Sequence, residues 1–380
     1  MKKYCKNCTL SAKASGVTID NKGLCDYCAG RSSTISELNR PAGTSIDKLK
    51  VELEDTFQKI RGQSKYDCVL ALSGGKDSAY LLYHLVVEKK LKVLAVHIKQ
   101  PFGSKYAARN INQLKEKLSF DLKTIDPGED FYVKFYAGLF QHPSRLGFTA
   151  TVCSCCFAVI AGYCIRVATE NNIPLVILGN SPMQAPHSFF ELDSRCINTR
   201  KWIPDIFRSG KYNEEFLDNF WDPFRYPEKT SFPRVIYPFH IMEYNIDKIY
   251  QTLAQNKILS RNSFGWYHTN CGLLPLMFNL DEKCTGRHPF LMELAVLLRK
   301  GMVRKEKVIY DKARLRCGRI FGRIRQHIIE KKLNIKLHDI ISQFPEPYFL
   351  KSDYEQVKFI NSVIKPYFLK NESELSREEH

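Results

Sequence analysis

Hydrophobic and polar positions follow two periods between residues 45 and 240. Short apolar runs predict β-strands at 67–72, 92–98, 121–125, 174–178 and 235–237. Helical spacing predicts one helix after an N-cap at Ser45 and further helices near 78–89, 106–118 and 156–172. Strands that alternate with helices form a parallel sheet covered on both faces, so the pattern predicts a doubly wound α/β fold.

Shifts in composition divide the chain into three expected regions. Residues 1–44 are a Cys-containing module and a linker, 45–244 the α/β domain, and 245–380 a basic, mainly helical region. Within the second region, 182–233 is rich in aromatic residues, Pro and Asp. We expect it to be an insertion around a site.

Composition narrows the class of protein. Of the 380 residues, 44% are hydrophobic and 26% charged, a balance typical of globular domains. Without a run of about 18 apolar residues or a signal-peptide pattern, we expect a cytoplasmic chain with no membrane span. Thirteen cysteines in such a chain indicate reduced thiols, metal ligands or reactive sulfur rather than disulfides.

Positive charge is concentrated near the C-terminal end. Lys and Arg number 57 against 40 Asp and Glu, a net charge of +17, and residues 300–336 hold 13 basic and 3 acidic residues. A stripe at helical spacing is formed by Lys312, Arg316, Arg319 and Arg323. It is either a solvated helix face or a surface for a polyanion such as RNA or a nucleotide-linked substrate.

The most specific motif is the loop Ser73-Gly74-Gly75-Lys76-Asp77-Ser78. It lies between a predicted strand and a predicted helix. Two glycines let the backbone approach an anion, and the helix N-terminus supplies unpaired N–H groups. The loop therefore predicts a phosphate site, to which the two serines add hydroxyl donors.

Four cysteines form two pairs near the N-terminus. Cys5 and Cys8, and Cys25 and Cys28, are each separated by two residues, with 16 residues between the pairs. This spacing is typical of a structural zinc knuckle with four thiolate ligands.

A second Cys-x2-Cys pair, Cys153 and Cys156, opens the predicted helix region near 156, and Cys271 is a distant third cysteine. A helix N-terminus lowers thiol pKa, so we expect reactive thiolates there. The alternative is that these cysteines are small core residues.

The loop resembles the signature of the PP-loop ATP pyrophosphatases, a group of adenine nucleotide α-hydrolases. The resemblance implies a HUP-type fold that binds ATP and Mg²⁺, holds the β,γ-pyrophosphate and lets an acceptor oxygen attack the α-phosphorus. It also implies that Asp77 helps to position Mg²⁺ and that adenine binds near Val96 and His97, although His97 can equally be a hydrogen-bonded strand residue. Lys76, which adds a positive charge to the loop, is the other candidate catalytic residue there. Asn180 and Ser181, after the strand at 174–178, are further candidates for nucleotide binding.

Across most of its length the chain resembles the N-acetyl sugar amidotransferases of surface-polysaccharide (lipopolysaccharide) biosynthesis. The matching features are the N-terminal cysteines, the stretch 17–28, the PP-loop, Cys153 with Cys156, the stretch 172–180 and the run 288–306. The resemblance implies that ATP activates the acetamido oxygen of a nucleotide sugar. Ammonia from a separate glutaminase then displaces AMP and leaves an acetamidino group.

Cys271 departs from that pattern and favours a second interpretation. Cys-x2-Cys with a distant third cysteine is similar to the tRNA and nucleobase thiolation enzymes, in which the cysteines hold a [4Fe-4S] cluster or form a persulfide. The basic stripe would suit a tRNA partner. The third alternative is an inactive nucleotide- or RNA-binding module, and a homo-oligomer is open in each case.

Overall fold

The computed structural model describes residues 3–33, 46–181, 191–195, 197–260, 263, 270–353, 355–356 and 358–359. For residues 191, 192, 314, 316–321 and 323 it describes the backbone alone. The expected N-cap at Ser45, most of the expected linker and the side chains of Arg316, Arg319 and Arg323 therefore lie outside the described residues.

All five expected strands belong to one sheet, and a sixth strand joins its edge. The strands are β1 Cys68–Ala71, β2 Val93–Ile98, β3 Asp121–Ile125, β4 Leu175–Ile177, β5 Glu191–Asp193 and β6 Arg234–Ile236. Their spatial order is β3-β2-β1-β4-β6-β5, with every pairing parallel except that of β5 with β6. The predicted doubly wound α/β fold with a parallel sheet is confirmed, and β5 is an addition that the apolar pattern does not predict.

The helices follow the strands as the periodicity predicts, with two differences. They are α1 Ile46–Ile60, α2 Lys76–Tyr83, α3 Lys105–Lys117, α4 Glu129–Gln141, α5 Phe148–Glu170, α6 Glu214–Leu217, α7 Ile246–Gln255, α8 Leu274–Thr285, α9 Pro289–Arg299, α10 Lys305–Leu333 and α11 Leu337–Ser342. The pattern misses α4, and α5 begins eight residues before the expected 156.

Each face of the sheet has its own apolar core because alternate strand residues point to opposite sides. On one face, Val69, Val96 and Val176 pack with residues of α4 and α5. On the other, Leu70, Ala95 and Ile177 pack with residues of α2, α7 and α9. The sheet is thus doubly wound.

Helix α5 corrects the expectation that no segment resembles a membrane span. Among the described residues it is the one helix long and apolar enough to cross a membrane by length and composition. Its most apolar window is 56% buried inside the protein, and its side chains belong to the core beside the sheet. The apolar composition of α5 therefore serves packing in this structure.

The N-terminal module, residues 3–33, folds as short turns and packs on the C-terminal helices. Its small core joins Leu10, Val17 and Tyr27 to Ala295 of α9. The ammonium groups of Lys305 and Lys312 on α10 donate to the backbone oxygens of Lys6 and Thr9. Lys312 of the predicted basic stripe therefore contacts this module rather than facing solvent alone.

Candidate active site

The glycine loop connects β1 to α2 at the carboxyl end of the strand. Gly74 has a φ of +74°, and a Cβ there would overlap the backbone of Ala107. Its carbonyl oxygen accepts a hydrogen bond of 2.9 Å from Nδ2 of Asn110 on α3. Only glycine satisfies both the positive φ and this close approach.

Asn270 closes the loop from a distant part of the chain. Its Nδ2 donates to Oγ of Ser73 at 2.8 Å, and a Cβ on Gly75 would lie 2.6 Å from the same atom. The hydroxyls of Ser73 and Ser78 lie 3.1 Å apart. The two serines and Asn270 therefore form one polar cluster around the turn.

Lys76 and Asp77 form an ion pair at the start of α2. Nζ of Lys76 lies 2.6 Å from Oδ2 of Asp77 and donates to the hydroxyl of Tyr244 at 3.2 Å, and that hydroxyl donates to Oδ1 of Asp77 at 3.1 Å. Burial opposes the charged form, but Asp77, Tyr244 and Tyr250 together outweigh it and raise the pKa of Lys76 well above its ordinary value. Lys76 is therefore a fixed positive charge at the loop.

His97 lies at the end of β2, beside the loop. Its Nδ1 is 2.9 Å from the carbonyl oxygen of Leu72, which can only accept, so Nδ1 carries the proton. Burial lowers the pKa of His97 and favours the neutral ring. Its ring is thus hydrogen-bonded, as the alternative interpretation expects, and it also lines the cavity described next.

A cavity of about 1480 Å³ opens in front of the loop. Its walls contain most of the sequence-predicted site residues: Ser73, Gly75, Lys76, Asp77, Ser78, Val96, His97, Cys153, Cys156, Asn180 and Cys271. Gly74 packs behind the loop against Ala107, and Ser181 is fully buried outside the cavity wall. The structure therefore gathers the predicted catalytic and nucleotide-binding residues at one cavity, except Gly74 and Ser181.

Cys271 reaches the cavity through a short strand-like pairing. The N–H of Gly272 donates to the oxygen of Phe102 at 2.7 Å, and the N–H of Ser104 donates to the oxygen of Asn270 at 2.8 Å. This pairing places Asn270 on the loop and Cys271 in the cavity wall, beside the cysteines of α5.

The prediction of reactive thiolates at a helix N-terminus is wrong. Helix α5 begins at Phe148 after Gly147, so Cys153 and Cys156 lie one to two turns inside it, beyond the reach of the helix dipole. Burial raises the pKa of Cys156 and of Cys271. Sγ of Cys156 lies 3.5 Å from the hydroxyl of Tyr136. These side chains are therefore thiols at neutral pH in this structure.

The four N-terminal cysteines are arranged differently. The Sγ atoms of Cys5, Cys8, Cys25 and Cys28 all lie within 4.8 Å of one another, which is the geometry of a site that can hold a metal ion. Sγ of Cys8 and Cys25 are 3.5 Å apart. Among the described residues no other group of three or more cysteine, histidine or acidic side chains is as compact, so the cavity cysteines do not form a single-ion site.

Comparisons with known proteins find distant similarity. No family model matches the chain. An uncharacterized protein of Methanocaldococcus jannaschii is 23% identical over 308 residues, which cover 80% of this chain and 90% of that protein. These values do not assign a family.

Two solved structures also align with the chain. The NMN synthetase of Francisella tularensis aligns with a TM-score of 0.37 and 12% identity, covering 75% of this chain and 96% of its own. The U34-tRNA thiolase NcsA of Methanococcus maripaludis, solved with its [4Fe-4S] cluster, aligns with a TM-score of 0.33 and 14% identity, covering 80% and 87%. Scores this low carry no functional assignment.

Asn110, Asn270, Tyr244 and Glu293 are at the site but are not singled out by the sequence. The first three act through contacts across 36, 197 and 167 residues of chain, which no local pattern shows. Glu293 does carry a signal, because it is the one acidic residue of helix α9, whose other residues before Arg299 are apolar, and a lone carboxyl on such a helix points to a special environment.

Proposed function

We propose that this chain is an ATP-dependent adenylating enzyme of the PP-loop type, which activates an amide or carbonyl oxygen of an acceptor and releases pyrophosphate. The glycine loop at the carboxyl end of β1 carries the proposal. From β1 the sheet extends through β2 on one side and β4 on the other. Ligands of open α/β sheets bind at such a switch point, outside the carboxyl ends of the strands.

The loop fits the pyrophosphate part of ATP. Helix α2 follows Gly75, and among the described residues no side chain caps its first turn. Its N–H groups and the Lys76 ammonium can therefore stabilise the charge that builds on departing pyrophosphate. Mg²⁺, which offsets phosphate charge, fits beside Asp77, since one carboxylate plus substrate phosphates is a common magnesium environment.

For the acceptor we favour an N-acetyl sugar nucleotide and ammonia as the nucleophile, from a separate glutaminase. Lys201, Trp202 and Arg208 line the same cavity as the loop. An aromatic ring suits the face of a sugar, and the two cations suit a diphosphate. The residue set therefore agrees with the resemblance to the amidotransferases.

Sulfur transfer to a tRNA base or nucleobase is the second candidate, and one observation favours it. Cys153, Cys156 and Cys271 share the cavity with the loop, although they are separated by up to 118 residues of chain. Three thiols on an open cavity suit a [4Fe-4S] cluster with one exposed iron, or a persulfide.

Anaerobic purification of the full chain separates the two candidates. The amidotransferase predicts a colourless protein that forms an amidine from UDP-N-acetylglucosamine, ATP and ammonium. A brown protein with iron and acid-labile sulfide that are lost in Cys271→Ser would overturn it in favour of sulfur transfer. Cys164→Ser, at a buried core cysteine outside the cavity wall, is the matched control and keeps the wild-type spectrum in either case.

For the N-terminal cysteines we propose one structural zinc ion. Four ligands at about 2.3 Å from a central zinc, arranged tetrahedrally, have Sγ–Sγ distances of about 3.8 Å. The 3.5 Å between Cys8 and Cys25 and the common limit of 4.8 Å agree with this arrangement.

A further inference from the structure

Glu293 has no role in the function proposed above, yet it lines the cavity of the candidate site. It is on α9, whose neighbouring residues Leu294 and Leu297 pack in the same apolar core as α2. This packing brings the half-buried Glu293 side chain into the cavity wall beside the glycine loop.

In the described part of the chain, Glu293 interacts with its neighbours through their charges rather than through hydrogen bonds. Its carboxyl interacts with the charges of Lys76 and Asp77, and in turn affects Tyr244 and the thiol of Cys153. Among the described residues it makes no hydrogen bond that stabilises its charge. Burial is the main cause that raises the pKa of Glu293 to about 7, with Lys76 opposing and Asp77 adding to the shift. An unbonded carboxyl that titrates near neutral pH in a cavity is suited to proton transfer.

We propose that Glu293 is the general base of the adenylation step and takes the N–H proton of the acceptor amide while the amide oxygen attacks the α-phosphorus of ATP. The inference rests on the proposed adenylating function. In this step an O–P bond forms, the bond from the α-phosphorus to the bridging oxygen breaks, and pyrophosphate leaves with its electron pair. The N–H electrons become the C=N bond of an O-adenylated imidate, and the proton goes to the Glu293 carboxylate.

This role does not depend on whether ammonia or sulfur is the nucleophile of the second half-reaction. An acetamido group and the lactam of a nucleobase both present a carbonyl oxygen next to an N–H. Either acceptor therefore needs the same base in the first half-reaction, whether ammonia or sulfur completes the second.

Glu293→Gln tests the role, because it keeps the shape of the side chain and removes the base. Pyrophosphate release is measured from pH 5.5 to 8.5 with ATP and Mg²⁺, with UDP-N-acetylglucosamine and bulk tRNA as separate acceptors. The wild-type rate should rise with pH and level off above about 7, since the base works only when it is deprotonated. The variant should be about 10²- to 10⁴-fold slower, as for removal of a general base. Its rate should also no longer rise with pH.

Other titrating and charged groups of the cavity define the controls. Asp281, Lys307, Asp311 and Arg287 also line it, and Asp281 has a pKa raised to about 6 by burial. A rise caused by Asp281 would persist in Glu293→Gln. Glu306→Gln makes the same change at an exposed position and should behave as wild type, while calorimetry should show ATP binding to Glu293→Gln within about threefold of wild type.

The outcomes separate the two proposals. Wild-type turnover matched by Glu293→Gln at every pH, or a variant that fails only because it no longer binds ATP, overturns the role of Glu293 and leaves the adenylating function intact. A wild-type protein that releases no pyrophosphate with either acceptor overturns the adenylating function, and the role of Glu293 with it.

Discussion

The two sets of cysteines in this chain share a spacing and differ in almost everything else. Cys5 with Cys8 and Cys25 with Cys28 lie on tight turns that bring four Sγ atoms within 4.8 Å. Cys153 and Cys156 have the same Cys-x2-Cys spacing on a continuous helix, where residues three apart share one face. The same spacing therefore brings four Sγ atoms around one point in the first set and places two thiols along one helix face in the second.

Their surroundings differ in the same sense. In the N-terminal set Cys5, Cys8 and Cys25 are buried, and the N–H of Cys25 donates to Sγ of Cys5 at 3.3 Å. In the cavity set Cys153 is exposed, while Cys156 and Cys271 are half-buried. The comparison teaches that backbone geometry, rather than spacing alone, separates a structural metal site from thiols open to a ligand.

The largest effect on stability should follow replacement of Cys25 and Cys28 by serine, which removes two of the four proposed zinc ligands. Binding of zinc to a four-ligand site contributes about 10–16 kcal/mol in small zinc domains, far more than a module of about 30 residues can supply by packing. We expect the variant to lose one equivalent of zinc by elemental analysis and its N-terminal module to become sensitive to protease. Cys153→Ser, at the exposed cavity cysteine, is the control and should retain the zinc.

Equal metal content in the double variant and in wild type would contradict the distinction between the two sets.

A smaller loss of folding stability is expected from a substitution where the N-terminal module contacts the rest of the chain. The buried guanidinium of Arg287 contacts Asp353 at 3.0 Å and donates to the hydroxyl of Tyr27 at 3.0 Å. Arg287→Met leaves the Asp353 carboxylate without its charge partner, which costs about 3–5 kcal/mol for a buried pair. Urea unfolding measures the loss.

Arg195→Met, which removes the exposed pair with Asp193, is the control and should cost about 1 kcal/mol or less. Equal losses in the two variants would show that the module is not anchored through Arg287.

The smallest effect concerns the protonation of the cavity thiols. Desolvation of the thiol by the cavity wall, and after it the neighbouring thiols of Cys156 and Cys271, raise the pKa of Cys153 well above its ordinary value. Its alkylation by iodoacetamide, followed by peptide mass spectrometry, should accelerate about tenfold per pH unit between pH 7 and 9, because the thiolate reacts and its fraction rises with pH. A rate independent of pH would mean that Cys153 is already a thiolate.

The sequence predicts β1, β2 and β4 well because these strands are nearly continuous apolar runs between turn residues. It misses α4 because apolar side chains occur almost all round this helix, so no helical period stands out. It misses the start of α5 because Asp281, 133 residues away, accepts hydrogen bonds from the N–H groups of Phe148 and Thr149. A helix start stabilised from so far away leaves no local signal.

The residues of the candidate site also fall into a group that the sequence predicts and a group that it does not. The glycine loop and both cysteine pairs are local motifs and are visible in the sequence. The partners that complete the loop, Asn110, Asn270 and Tyr244, come from other elements. Their roles follow from packing of the C-terminal region on the sheet, which a single sequence does not show.

The most direct test of the adenylating function is the product ratio from ATP in wild type and in Asp77→Ala. With Mg²⁺, UDP-N-acetylglucosamine and ammonium, we predict AMP and pyrophosphate in equal amounts, formed only when the acceptor is present. The variant should be at least about 10²-fold slower, because it lacks the carboxylate that pairs with Lys76 and would hold Mg²⁺ at the charge that builds on pyrophosphate. Formation of ADP and phosphate instead, or equal AMP production by Asp77→Ala, would contradict the account.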